Sequence, residues 1–418
     1  MFRKSLWLVI SVVMVAAMAM AACAPKTPVA TTEAPVTEPV ATTEAPPAGP
    51  FIIGMLLVGP YNDNGWSTAT YVGGQYVESK IADTQLIYAD NVNTAANPNT
   101  TAAQFAEQLL DRGAGVIVFN SDDMKDGVTE FTTAHPEVPV IWLSGDYAWQ
   151  DGQRYQAQMT NESDIMGRME FGKMIAGCAA ALTTKTGRIG FLGPLINDET
   201  RRLADAAYLG ARYGWDNIVK SQAPLLFQVT WIGMWFNIPG VTLDPTQVAD
   251  NFFTTGYDVV ISGIDSTEAV TEANKFRQLG QDVYAAQYDY IEACNVAPTA
   301  CLGVPYFNWG VMMLPVIQSI VDGTYKRTFI WAGPDWTDIN NPDTSAIGFQ
   351  KSEGLSAEDS TKLDGFIAEL ADGLNLWKGP LNYQDGTVFL ADGVAATDQQ
   401  IWYMPLLLEG MLGDSVAQ

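Results

Sequence analysis

The feature that most restricts this chain is an alternation that runs twice. From residue 51, short apolar runs ("FIIGMLLV" at 51–58, "TQLIYA" at 84–89, "GVIVFN" at 115–120, "VPVIWLSG" at 138–145) are separated by segments such as "YVGGQYVESKI" and "TTAAQFAEQLLDRG", whose apolar residues recur at helical spacing. Strand, helix, strand in succession requires right-handed crossovers and a parallel sheet. The pattern restarts with "MGRMEFGKMIAGCAAALTTKTG", a long predicted helix ended near Gly187, followed by strands "RIGFLG", "LLFQVTWI", "DVVISG" and "DVYAAQY". A later strand, "ACLGVPY", precedes the helix "GVMMLPVIQSIVDGTYK", and "GPLNYQDGTVFLADG" reads as a hairpin turning at Asp385 and Gly386. The expectation is an α/β chain of two lobes, each a parallel sheet flanked by helices. Lobe one spans 51–165 and lobe two 166–418, with a crossover back to lobe one around 290–330.

The segment ahead of residue 51 has a different character. Arg3 and Lys4, the apolar run "LWLVISVVMVAAMAM" and "MAAC" have the layout of an export signal over 1–23. Small residues before a cysteine resemble a lipobox, which predicts lipid on Cys23 and an anchor at the outer face of the cell membrane. Residues 24–50 repeat "PVATTEAP" and are rich in Pro, Thr, Glu and Ala, a composition that predicts a solvated, disordered tether. Export permits a disulfide, and Cys294 and Cys301 in "CNVAPTAC" are close enough to close a small loop; Cys178 in "MIAGCAAAL" reads as a buried small hydrophobe. No C-x-x-C pair or histidine cluster is present, so no metal or other cofactor is expected. A formal charge of −25 at pH 7 opposes nucleic acid as a partner.

In parallel α/β sheets ligands bind beyond the carboxyl ends of the strands. Candidate binding residues there are Asp63 and Trp66; Asn120 and Ser121; Asp146; Trp235 and Phe236; Asp265; Asp289; and Trp309. Aromatics and short polar side chains of this kind hold a flat ring between aromatic faces and accept hydrogen bonds from its polar edges or from sugar hydroxyls. Each aspartate has a second reading as the cap of the following helix. Trp142 and Trp331 read as core. His135, the single histidine, falls between a helix and the following strand, at the opposite edge from these loops, so a Ser-His-Asp arrangement has no support. Phosphate-binding glycine loops are absent. Paired aspartates leave a carbohydrate-active enzyme open as an alternative, and a sugar-binding receptor beside it.

Several segments, in order, resemble the basic membrane protein family, exported lipoproteins that serve as substrate-binding components of ABC transporters. They are "NDNGWSTATYVGG", "IAGCAAALTTKTGRIGFLG", "YLGAR", "VTWIGMWFN", "GYDVVISGIDS", "FNWGVMMLPVIQSIVDGTYK" and "WKGPLNYQDGTVFLADG". Asp63 and Trp66 occupy the acidic and aromatic places of the family's opening loop, with Ser67 where Asn is usual. The resemblance implies a type I periplasmic-binding-protein-like fold and a receptor, not an enzyme. Such a receptor is expected to be monomeric, to capture a purine nucleoside or nucleobase between its lobes and to deliver it to a membrane permease.

Overall fold

A computed structural model describes residues 49–416; the predicted signal, Cys23 and nearly all of the tether lie outside the described residues. The first lobe is laid down as β1 (Phe51–Leu56), α1 (Trp66–Lys80), β2 (Thr84–Ala89), α2 (Ala102–Asp111), β3 (Ala114–Phe119), α3 (Lys125–Ala134), β4 (Val140–Leu143) and β5 (Glu162–Gly167). These strands pair in parallel, and the last four residues of β1 and of β3 are fully buried, as strands covered by helices on both faces must be. Thr101 starts α2 with a capping box, its hydroxyl accepting from the Gln104 N–H.

The chain then crosses into the second lobe: α4 (Met169–Thr183), β6 (Arg188–Gly193), α5 (Asp198–Tyr213), β7 (Leu226–Trp231), α6 (Pro245–Thr254), β8 (Val259–Ser262), α7 (Glu268–Gln278) and β9 (Tyr284–Ala286). After β10 (Gly303–Phe307) it returns to lobe one with α8 (Trp309–Val321), packed on α1, and β11 (Phe329–Ala332), parallel to β5. It crosses a third time into β12 (Ile347–Lys351), antiparallel to β10, and α9 (Ala357–Ala371). The hairpin β13 (Leu381–Asn382) and β14 (Val388–Leu390), the short α10 (Asp398–Trp402) and β15 (Met411–Leu412) complete the fold. The sheet orders are β11-β5-β4-β3-β1-β2 and β15-β7-β6-β8-β9. Each half is therefore a parallel sheet between helices, the expected α/β architecture.

Two sequence features find their physical reason here. The alanine-rich "MIAGCAAAL" lets α4 and α5 approach until backbones touch: a Cβ on Gly177 would sit 1.9 Å from the Ala207 carbonyl oxygen, and one on Gly210 2.0 Å from that of Met174. Cys178 is buried and free in that contact, its thiol pushed up by burial. The "TKTG" turn ties α4 to β8: the Asp258 carboxylate accepts from the Thr184 hydroxyl (2.5 Å), the Lys185 and Thr186 amides (2.7 and 3.0 Å) and the Thr186 hydroxyl (2.9 Å). This most distinctive motif is thus a structural clasp. Cys294 and Cys301 are joined, S–S 2.06 Å.

Candidate ligand-binding cleft

The lobe-one wall begins where β1 runs into the turn before α1. The Asp63 carboxylate accepts from the amides of Gly65 (2.8 Å), Ser67 (3.1 Å) and Thr68 (2.9 Å) and from the Thr68 hydroxyl (2.9 Å), so it caps α1 although burial raises its pKa. Ser67 also serves the turn, its hydroxyl accepting from the Gly59 amide at 3.0 Å. Trp66 opens α1 and is 7% exposed; its indole N–H donates to the Asn120 carbonyl at 2.5 Å. The Asn120 side chain accepts from the Val58 amide (2.8 Å), so Asn120 stitches the ends of β1 and β3 together. Trp309 is fully buried, stacked on Phe307 at 4.6 Å, and both meet Trp66 edge-on at 5.0 and 5.2 Å. It supports Trp66 from behind.

The lobe-two wall is chemically different. Asp265 follows β8, and its amide donates to the Trp235 carbonyl at 3.0 Å. The Trp235 indole N–H is buried without a hydrogen-bond partner among the described residues. Tyr288 and Asp289 follow β9; Asp289 adopts φ 71°, a left-handed conformation that Asp tolerates, and is fully buried, with neither carboxylate oxygen hydrogen-bonded among the described residues. Beside them lies Lys173 of α4, fully buried, its ammonium donating to the Ser262 carbonyl (2.6 Å) and lying 3.1 Å from the centre of the Tyr288 ring. Burial pushes this lysine down to about 7 against the opposing pull of Asp289 and Asp265. Burial also raises the carboxyls of Asp265 and Asp289, and pushes Glu199 up to about 7.

The walls meet. A Cβ on Gly65 of lobe one would lie 1.8 Å from the Asp265 carbonyl oxygen of lobe two, Phe236 packs against the lobe-one core, and Arg154 pairs with Asp146 (3.2 Å) in its own lobe and with Asp198 across the cleft. Among the described residues, an inner and an outer chamber lie between them. The inner one, about 10 Å³, is bounded by Trp66, Ser121, Trp235, Glu199, Asp265 and Tyr288. The outer one, about 350 Å³ and strongly polar, is bounded by Asp146, Arg154, Asp198 and Arg202 among others; Asp122, Ser144 and Glu199 border both.

Of the predicted binding residues, the structure brings Trp66, Ser121, Trp235 and Asp265 to the inner chamber and Asp146 to the outer one. Asp63, Asn120, Phe236, Asp289 and Trp309 border neither chamber. Asp122, Ser144, Glu199, Tyr288, Lys173 and Arg154 were not read from the sequence. Glu199 follows β6 and Asp122 follows β3, so the strand-end rule reaches both; Lys173 had a signal of its own, as the lone charge within the apolar stretch "FGKMIAGCAAAL".

The comparisons with known proteins bear on the family and the fold. A family model described as "ABC transporter substrate-binding protein PnrA-like" (Bmp) matches residues 52–359. A purine-binding protein of Brucella abortus (strain 2308) is 25% identical over 366 residues, covering 86% of this chain and 92% of its own. A protein of Haloferax volcanii described as "Putative ABC transporter glucose-binding protein TsgA13" is 24% identical over 277 residues, 65% of this chain and 61% of that one. Among solved structures, an ABC transporter solute-binding protein from Aeropyrum pernix K1 superposes with TM-score 0.60 at 11% identity, over 84% of this chain and 95% of that one. Another, from Conexibacter woesei DSM 14684, gives 0.54 at 12% identity over 77% and 97%. These two show the fold. The matched family is a binding component of transporters, not of enzymes, which removes the carbohydrate-active enzyme from consideration. The chain belongs to the Bmp family of ABC transporter substrate-binding proteins.

Proposed function

We propose that this receptor captures a purine nucleoside or nucleobase between Trp66 and Trp235, is held to the outer face of the cell membrane by lipid on Cys23, and hands its ligand to a permease. The observation that carries the reading is that indoles from opposite lobes border one chamber together with acceptors from lobe two, Asp265 and Glu199. A planar ring gains apolar burial and stacking from such a pair, roughly 1–3 kcal/mol per face, while carboxylates accept from its N–H edges or from ribose hydroxyls. The likeness to a purine-binding relative supports the same class of ligand.

An inner chamber of about 10 Å³ has room for one water, so a ring compound enters only when the lobes part. Opening must break the Arg154–Asp198 pair and the Gly65–Asp265 contact, which makes lobe separation the step at which capture and release are controlled. Asp63 contributes indirectly, by holding the turn that aims Trp66.

A thermal-shift screen over purine bases, nucleosides and monosaccharides, followed by calorimetry, tests the ligand class. A melting temperature raised by purines supports the reading. One raised only by monosaccharides replaces it with a sugar receptor, a reading that the strongly polar outer chamber and the glucose-binding relative favour. The anchor is tested separately: Cys23→Ser should release the protein from membranes or leave it unprocessed.

A further inference from the structure

The inner chamber of the cleft is unbalanced in charge. Asp122, Glu199 and Asp265 border it, and no lysine or arginine does. Among the described residues none of these three carboxylates accepts a hydrogen bond or forms an ion pair. The other acids on the two walls are committed, Asp63 to the start of α1, and Asp146 and Asp198 to Arg154. Asp265 is 5% exposed, yet its oxygens are not sealed off as those of Asp289 are.

The basic residues of the cleft stand elsewhere. Lys125, Arg154 and Arg202 border only the outer chamber, where Arg154 is held by Asp146 and Asp198 and Arg202 lies 3.9 Å from Glu170. They act on Asp122 and Glu199 through space, without an ion pair. Lys173 feels both Asp265 and Asp289, but it borders neither chamber and gives its ammonium to the Ser262 carbonyl. One ammonium thus serves two carboxylates, and Glu199 adds a third negative charge beside Asp265. Buried carboxylates left in this state are costly to ionise, and a positive charge brought among them removes the cost. Trp66, Trp235 and Tyr288 bring three aromatic rings to the same chamber. Such faces attract a cation, and the attraction of adjacent carboxylates is little screened once water has left.

We infer that the inner chamber selects a purine whose ring is positively charged, an N-alkylated or ring-protonated base, over the neutral purine of the same shape. The inference rests on the purine reading above. The charged ring lies between the two indoles, and Asp265 and Glu199 balance it as the residues that set specificity.

Calorimetric titration of the full chain at pH 7 with two methylated pairs tests this. Methylation turns adenosine into the cation 1-methyladenosine, whereas 1-methylinosine gains a methyl group at the same place and stays neutral. 1-Methyladenosine should bind about tenfold or more tighter than adenosine, and 1-methylinosine no tighter than inosine. Asp265→Asn should bring 1-methyladenosine to within about threefold of adenosine, because the attraction it removes acts on the charge and not on the ring. Glu199→Gln should narrow the same ratio, and it supplies the test if Asp265→Asn does not fold. Adenosine bound as tightly as 1-methyladenosine, an equal gain for 1-methylinosine, or a preference untouched by either variant would overturn charge selection and leave the purine reading standing. Binding of monosaccharides alone would overturn the purine reading, and this inference with it.

Discussion

The loop after β1 and the loops after β8 and β9 present similar residues to one cleft and use them in opposite ways. In lobe one the acid is committed to the fold: three backbone amides and a hydroxyl converge on Asp63, because the first turn of α1 follows it directly and offers unpaired N–H groups. In lobe two, the short 3-10 turn that follows Asp289 starts only at Ala293 and sends it no amide; among the described residues both its oxygens lack hydrogen-bond partners, and Lys173 is buried alongside. Lobe one therefore positions an aromatic face, and lobe two holds the uncommitted polar capacity. The same residue type at the same topological place does different work according to what the next few residues offer it.

The largest expected effects come from the two indoles, and they should differ in kind. Trp66→Ala and Trp235→Ala should each weaken the purine identified by the screen about ten- to a hundredfold, since an aromatic contact is worth roughly 1–3 kcal/mol and 1.4 kcal/mol is a factor of ten. Trp66 is also packed against Phe307 and Trp309 and bonded to Asn120, so its truncation should cost about 3–5 kcal/mol of stability. Trp235, whose N–H is unbonded, should lose much less. Calorimetry with paired thermal melts checks both. Equal affinity in parent and Trp235→Ala would remove lobe two from the site.

Asp265→Asn should weaken the same ligand about tenfold, because the amide turns one of the two acceptor oxygens into a donor. It should also raise the melting temperature at pH 7, because burial and the neighbouring Asp289 already make the ionised form unfavourable in the folded protein. Opposite signs for affinity and stability would mark Asp265 as a binding residue; a loss of both would mark it as structural.

The lobe architecture was legible because it rests on periodicity: buried parallel strands and amphipathic helices repeat one pattern that sequence records directly. β5 escaped notice because it reads "ESDIMG"; its Glu162 is paired at 3.3 Å with Arg327, and its Ser163 hydroxyl accepts from the Thr328 amide at 3.0 Å, partners more than 160 positions away. The candidate site was half legible for the same reason. Strand ends locate Trp66, Trp235 and Asp265, but whether an acid faces ligand or caps a helix depends on which amides reach it. Trp309 shows the limit: it directly follows a strand, yet opens a helix whose face packs on α1, so it becomes core.

Glu199 gives a smaller effect with a definite pH signature. Its carboxyl is pushed up from 4.5 to about 7, chiefly by burial, so the folded state keeps a proton that the unfolded chain has released. The resulting penalty is absent below about pH 4.5, grows through the window, and is complete above about 7. Glu199→Gln should therefore match the parent at pH 4 and exceed it at pH 8, by about 1 kcal/mol once solvent screening at this half-buried position is allowed for. Melts of both proteins across that range check it, and a constant offset would place the effect elsewhere.

The smallest expected change in affinity is the most pointed test of the comparison. Asp63→Asn leaves an acceptor able to cap α1 but removes one of two charged oxygens, so stability should fall by about 1–2 kcal/mol, the usual cost of weakening a cap. Affinity should stay within about twofold of the parent, because both carboxylate oxygens of Asp63 are turned to the helix start and Asp63 borders neither chamber: one accepts from Gly65, Thr68 and the Thr68 hydroxyl, the other from Ser67, with the bonds between 2.8 and 3.1 Å. Asp63→Ala supplies the contrast, since losing the cap altogether frees the turn that aims Trp66 and should lower affinity through that ring. A fall of tenfold or more in Asp63→Asn, at unchanged melting temperature, would show that this acid turns from the helix to the ligand on binding and that the two walls are chemically alike.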